Sequence, residues 1–139
     1  MPRLTAIEAD QETFDAVRVL VERTYDAMST PGSDFASIFG HEDMTVAGSG
    51  LGELIDGPDR VIAVARRIAS LELVWGVEGV RVWRRGDVAW AQVLGHVDVI
   101  ENGAVARVPY WSTGVFMREG SRWCWAYWGG AEPQENPRV

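Results

Sequence analysis

The sequence predicts an α+β fold, with helices in its first half packed on an antiparallel sheet built by its second half. Three observations carry that expectation. Apolar residues recur with helical spacing only as far as Leu71. From Leu73 onward the chain is rich in Val, Trp and Tyr, residues that suit a pleated, half-buried surface. Short turn sequences separate these later runs, and a short turn joins antiparallel neighbours, because a parallel crossover takes about a dozen residues or more. Helices followed by a meander place the helices on one side of the sheet.

The first helix is predicted to open at a capping box, Thr5-Ala6-Ile7-Glu8, in which Thr5 and Glu8 satisfy each other's backbone amides. Ile7, Phe14, Val21 and Met28 then recur every seven residues, with Val17 and Tyr25 in the same buried stripe, and Ser29-Thr30-Pro31-Gly32-Ser33 stops it. A short helix is expected over 34–39, burying Phe35, Ile38 and Phe39, with Gly40 in the left-handed conformation that closes a helix. Met44 to Gly48 reads as a short strand. The segment Gly48-Ser49-Gly50-Leu51-Gly52 fails as a nucleotide loop, because it does not open directly into a helix, and reads instead as a flexible turn or bulge. Pro58 suits the first turn of a third helix running to about Leu71, with Ile62, Ala65, Ile68 and Ala69 as its inner stripe.

Strands are predicted over 73–84, 88–100, 104–118 and 121–128, separated by Arg85-Gly86-Asp87, Glu101-Asn102-Gly103 and Glu119-Gly120-Ser121. Asn-Gly is a strong hairpin signal, since both residues tolerate positive φ. The tail from Glu132 to Pro137 is polar and broken by Pro, and is expected to fray. No repeat or linker divides the 139 residues, so one domain is expected, ordered over about residues 5–130.

Charge narrows the function classes. Thirteen basic residues, all Arg, against twenty acidic ones give a net charge of −7, which disfavours nucleic acid and membrane surfaces as partners. No apolar stretch approaches the ~18 residues of a membrane span, and the N-terminus carries no apolar signal segment, so a cytoplasmic address is expected. Cys124, the single cysteine, excludes an intrachain disulfide and a thiolate zinc cage, and between Trp123 and Trp125 it reads as a small buried hydrophobe. His41-Glu42-Asp43 is set aside as a metal site, because adjacent side chains diverge and only one other histidine exists. Neither a metal nor a cofactor is expected.

The run from Val88 to Ile100 is largely apolar on both faces. Ala89, Ala91, Val93, Gly95, Val97 and Val99 share one face, and Trp90, Gln92, Leu94, His96 and Asp98 share the other. A single helical layer covers only one of them.

Four strings resemble the SnoaL-like branch of the nuclear transport factor two superfamily. They are Tyr25-Asp26-Ala27-Met28, Phe39-Gly40-His41-Glu42-Asp43-Met44-Thr45-Val46, Gly50-Leu51-Gly52-Glu53-Leu54-Ile55-Asp56-Gly57, and Ser112-Thr113-Gly114-Val115-Phe116-Met117-Arg118 with Arg122-Trp123. The resemblance implies a cone-shaped α+β barrel, its helices on a strongly curved sheet around a cavity, and a dimer through the sheet. Ketosteroid isomerases, polyketide cyclases, dehydratases, epoxide hydrolases and non-catalytic assembly modules share this fold, so it does not settle function. The carboxylates of the isomerases correspond here to Ala47 or Gly48 and to Thr113, and their helical Tyr to Thr24, one residue from Tyr25. The acid of the cyclases has no counterpart between Val108 and Met117, and the Asp-Arg-Asp set of the epoxide hydrolases cannot be assembled.

His96 and Asp98 remain as the candidate catalytic pair, since a carboxylate beside an imidazole can orient and charge it. Trp90, Gln92, Leu94 and His96 are expected to line the cavity, as the matching strand does in the isomerases, and because Gln and His need hydrogen-bond partners. Trp111 and Thr113 on the penultimate strand, Trp128 on the last and Tyr25 from the first helix join them as candidate ligand-binding residues. The alternative for His96 is a solvated strand end or a satisfied histidine in a subunit contact. With the His96 face turned into the cavity, the opposite row from Ala89 to Val99 is expected to form a homodimer interface through the sheet face away from the helices. The reading that follows is a domain binding a small apolar or aromatic molecule in an aromatic-lined pocket. The alternatives are a cofactor-independent isomerase, cyclase or lyase with His96 as acid/base, and a non-catalytic assembly domain.

Overall fold

The computed structural model describes residues 8–135. Helix α1 spans Gln11–Met28 and starts later than the capping box implied. Glu8 instead forms a β-bridge with Trp83, and the Ala9 amide donates to the Val82 carbonyl at 3.0 Å. Once that backbone is extended, Asp10 becomes the cap: its carboxylate accepts from the Thr13 amide at 3.2 Å and the Thr13 hydroxyl at 2.7 Å. Thr5 and Ile7 lie outside the described residues. The helix buries Val17, Val21, Tyr25 and Met28, as the stripe predicts, together with Thr13 and Thr24. Thr24 is satisfied twice over, donating to the Leu20 carbonyl at 2.6 Å and accepting from the Trp125 indole at 2.9 Å.

Helix α2 covers only Ala36–Phe39. Gly40 follows it with φ −79°, not left-handed; glycine is needed because a Cβ would run into the Ala36 carbonyl. Strands β1, Thr45–Ala47, and β2, Leu54–Asp56, form a small antiparallel pair. The second strand lies next to the segment read from sequence as a turn, and three residues are too few to show a period. Helix α3 runs from Pro58 to Ala69, and Gly57 precedes it at φ +90°.

The long strands are β3, Leu73–Arg85, β4, Val88–Glu101, β5, Ala104–Glu119, and β6, Arg122–Ala131. The sheet order is β2-β1-β6-β5-β4-β3, antiparallel throughout except that β1 lies parallel to β6. Asn102 and Gly103 take φ 52° and 78°, the positive pair that the hairpin signal requires. Bulges at Glu78 in β3 and Ala126 in β6 interrupt the ladders and bend the sheet. The second bulge turns Trp125 and Trp128, three positions apart, to the same inner side, with ring centroids 4.9 Å apart. Among the described residues no helix is long and apolar enough to cross a membrane.

The facing of β4 is the reverse of the expectation. Ala89, Ala91, Val93 and Val97 are buried on the inner face, not at a subunit contact. Trp90, Gln92, Leu94, His96 and Asp98 point outward. The small row fits beneath large neighbours, since Ala89 and Gly95 pair with Phe116 and Tyr110 of β5 on the same side. Gly95 shows the limit, since a Cβ there would sit 3.3 Å from the Tyr25 ring and run into the Gly76 carbonyl.

Candidate functional site

A cavity of about 310 Å³ lies between α3 and the end of the sheet where β3, β4 and β5 extend past α1. Helix α3 lines it with Val61, Val64, Ala65 and Ile68; the strands supply Leu73, Val97, Val99 and Val108; Met28 and Phe39 come from α1 and α2. The helical stripe and the inner row of the strands therefore supply its apolar wall. Aromatic rings supply the rest. Trp75 stands edge-to-face with Tyr110 at 4.9 Å between centroids and with Tyr25 at 6.0 Å. Its indole N–H is buried with no hydrogen-bond partner among the described residues.

Polar groups gather around the Tyr110 hydroxyl. The Trp128 indole and the Ser49 side chain lie near enough to it to favour the ionised phenol. Burial pushes the Tyr110 phenol up from its ordinary value, against Trp128 and Ser49, and the negative charges of Glu53 and Glu132 push it the same way as burial. Glycine makes the arrangement possible. A Cβ on Gly130 would collide with the Tyr110 hydroxyl, and one on Gly48 or Gly50 would collide with the Glu53 carboxylate. The loop carrying Glu53 is closed by the Gly48 amide on the Glu53 carbonyl at 2.8 Å and the Glu53 amide on the Gly50 carbonyl at 3.2 Å. Ser49, Glu53, Tyr110 and Glu132 thus put a phenol and two acidic side chains along an otherwise apolar wall. Such a site can exchange hydrogen bonds with one polar group of a ligand whose body is apolar.

Of the residues singled out from sequence, Trp128 lines this cavity. Tyr25 lies behind it, its ring 5.6 Å from that of Trp128 and its hydroxyl 2.8 Å from Ser112 Oγ. Burial pushes the Tyr25 phenol up to about 12. Trp90, Gln92, Leu94, Trp111 and Thr113 sit on the outer face and do not line the cavity; Leu94 and Trp111 pair directly across β4 and β5, about half exposed. His96 and Asp98 do share a face, as their spacing requires, but it is the outer one. The His96 ring lies over Gly76, with Nδ1 buried 3.6 Å from the Glu78 carboxylate. Asp98 takes two hydrogen bonds from Arg107, at 2.8 and 3.0 Å, and this pairing holds its carboxyl below the usual range.

His41 Nε2 lies 2.9 Å from the Glu119 carboxylate, and its Nδ1 accepts from the Asp43 amide at 3.1 Å. Cys124 is half-buried, and burial raises its thiol. Among the described residues no group of three His, Cys, Asp or Glu side chains is placed to hold a metal ion.

Trp75, Tyr110, Glu53, Glu132 and Ser49 were not singled out as site residues from sequence. Two signals pointed to them. Glu53 follows three glycines in five residues, and Gly130, on the strand beside Tyr110, leaves space for its hydroxyl.

The comparison with curated proteins finds no match. Solved structures share the fold. An NTF2-like protein of Pseudomonas putida KT2440 superposes with a TM-score of 0.74 at 17% identity, covering 91% of this chain and 90% of that one. A candidate dehydratase of the NTF2-like family from Streptomyces avermitilis gives 0.73 at 17%, covering 86% and 95%. The association domain of C. elegans CaMKII gives 0.70 at 20%, again covering 86% and 95%. In sequence, the profile of the SnoaL-like domain matches residues 17–131, and the chain belongs to that family.

Proposed function

We propose that the chain is a small-molecule-binding domain whose site is the cavity beneath α3. The observation that carries this reading is a space of about 310 Å³ walled by aliphatic and aromatic side chains, with its polar groups gathered around Tyr110. Ligand pockets are lined in this way, and the lower end of their usual size range is roughly 300 Å³. Proton transfer by His96 has no support from geometry, because its ring lies on the other side of the sheet. Any acid–base chemistry in the cavity falls to Tyr110, Glu53 and Glu132.

Trp75 and Trp128 line the cavity, so a bound aromatic molecule should change their fluorescence. Ala65→Leu, which adds bulk to the wall, should weaken that binding at least tenfold while the protein stays folded by circular dichroism. Unaltered binding in that variant refutes the assignment of the site.

A specific observation favours self-association as well. Val74, Leu94, Ile100, Val105 and Trp111 are large apolar residues left exposed, all on the outer face of the sheet. We infer a homodimer through this face, the one turned away from the helices. Its contact row is Leu94 and Trp111, not the Ala89–Val99 row.

A further inference from the structure

The charge lining the cavity selects its ligand. Glu53 and Glu132 are both acidic, and no Arg, Lys or His is among the lining residues. Among the described residues, neither takes part in an ion pair. Glu53, Glu132 and Tyr110 line the same cavity, and the charge of both carboxylates acts on the phenol. The rings of Trp75, Tyr110 and Trp128 stand at the same wall.

An anionic ligand would be repelled twice there, with no base to receive it. A neutral ligand would leave both carboxylates without a charged partner. A protonated amine gains charge-assisted hydrogen bonds from the acids and attraction to the aromatic faces. Glu132 is exposed and Glu53 half-buried, so the ammonium group would keep part of its hydration while the apolar body fills the cavity. Resting on the cavity reading above, we propose that the ligand is an apolar amine, bound as its cation with the nitrogen between Glu53 and Glu132. The apolar wall sets the size of its body, and the acidic cluster sets its charge.

Three probes of one skeleton test this by calorimetry on the full chain: naphthylethylamine, naphthylethanol and naphthylacetate. The amine should bind roughly tenfold or more tightly than the alcohol, as a charge-assisted contact implies, and the acetate should bind least. The preference for the amine should narrow as salt is raised. The isosteric double variant Glu53→Gln/Glu132→Gln should remove the preference for the amine over the alcohol. If the alcohol binds and the amine is no tighter, or the preference survives the double variant, the amine assignment is overturned and the cavity reading stands. If none of the three binds, the cavity reading falls and takes the amine assignment with it. The wild-type comparison is decisive even where the double variant does not fold.

Discussion

The two faces of strand β4 are built from different materials. Its inner face carries Ala89, Ala91, Val93, Gly95 and Val97, all buried, and its outer face carries Trp90, Gln92, Leu94, His96 and Asp98, none of them buried. Polarity alone would place Gln and His in a pocket and the small apolar residues at a flat contact. Packing reverses the assignment, because the inner face of β4 lies against large rings: Gly95 against Tyr25 and Tyr110, and Ala89 opposite Phe116. Along β4 the size of a side chain is therefore a better guide to its facing than its polarity, because its inner neighbours are themselves large. The cavity opens farther along the inner row, at Val97, Val99 and Val108, against Met28 at the end of α1.

The sharpest way to break this comparison is to remove the bulk that the inner face encloses. Trp125 is fully buried, packs on Phe116 at 4.5 Å between ring centroids and donates its indole N–H to Thr24. Trp125→Ala should cost about 3–5 kcal/mol of unfolding free energy, the usual effect of emptying an aromatic site in a core. Thr24→Val should cost about 1–3 kcal/mol, because it leaves the buried indole donor without an acceptor. Urea titrations of the three proteins measure both. A loss below about 1 kcal/mol for Trp125→Ala is inconsistent with an inner face that forms the packed core.

On the outer face the large effect should fall on assembly rather than folding. Leu94→Arg with Trp111→Arg puts two charges into the proposed contact, across one β4–β5 pair. Light scattering should report about twice 15.4 kDa for the wild type and the single mass for the variant. Helical and sheet content by circular dichroism should be the same. A wild type that is already monomeric at micromolar concentration removes the dimer and leaves the cavity untouched.

The elements were legible because periodicity and turn chemistry are local. The α1 stripe, the α3 start at Pro58 and the turns at Gly86, Asn102-Gly103 and Gly120 appear where residue type requires them. The site was less legible, since it depends on which side of a strand faces in, and that depends on curvature generated elsewhere. The bulge at Ala126 is a case in point: it brings Trp125 and Trp128 to one side, which strict alternation forbids. Trp128 and Tyr25 could be picked out as aromatic residues near the core. Tyr110 could not be told from Trp111, its neighbour on the opposite face, by residue type. Glu53 and Glu132 come from a loop and a strand end, whose positions no periodicity encodes.

The two faces should also answer pH at opposite ends of the scale. Burial first raises the Tyr25 phenol from 10 to about 12, so the folded state favours the protonated form. Its contribution is intact below pH 10 and is lost as pH rises from 10 towards 12, on the order of 2 kcal/mol. Tyr25→Phe should flatten that alkaline limb of the stability curve. On the outer face, the Arg107 hydrogen bonds lower the Asp98 carboxyl from 3.8, so its contribution is present above that value and is lost as pH falls below it. Arg107→Ala should flatten the acid limb and leave the alkaline one as it was.

The smallest expected effect is the most discriminating, because it uses adjacent residues. His96 and Val97 are neighbours on β4, one over Gly76 on the outer face and the other in the cavity wall. Val97→Ala removes two buried methyl groups from the wall. It should change the affinity of a naphthalene-bearing probe several-fold, at a stability cost of about 1–2 kcal/mol. His96→Ala should leave that affinity unchanged within error, since the sheet separates the imidazole from the cavity. It removes a ring that partly covers Gly76 and stands 3.6 Å from Glu78, so any change it causes should appear in the monomer–dimer equilibrium. Titrating one probe into both variants and weighing both by light scattering separates the faces in a single experiment. A reversed pattern, with His96→Ala abolishing binding and Val97→Ala neutral, would mean that the cavity lies on the other side of the sheet.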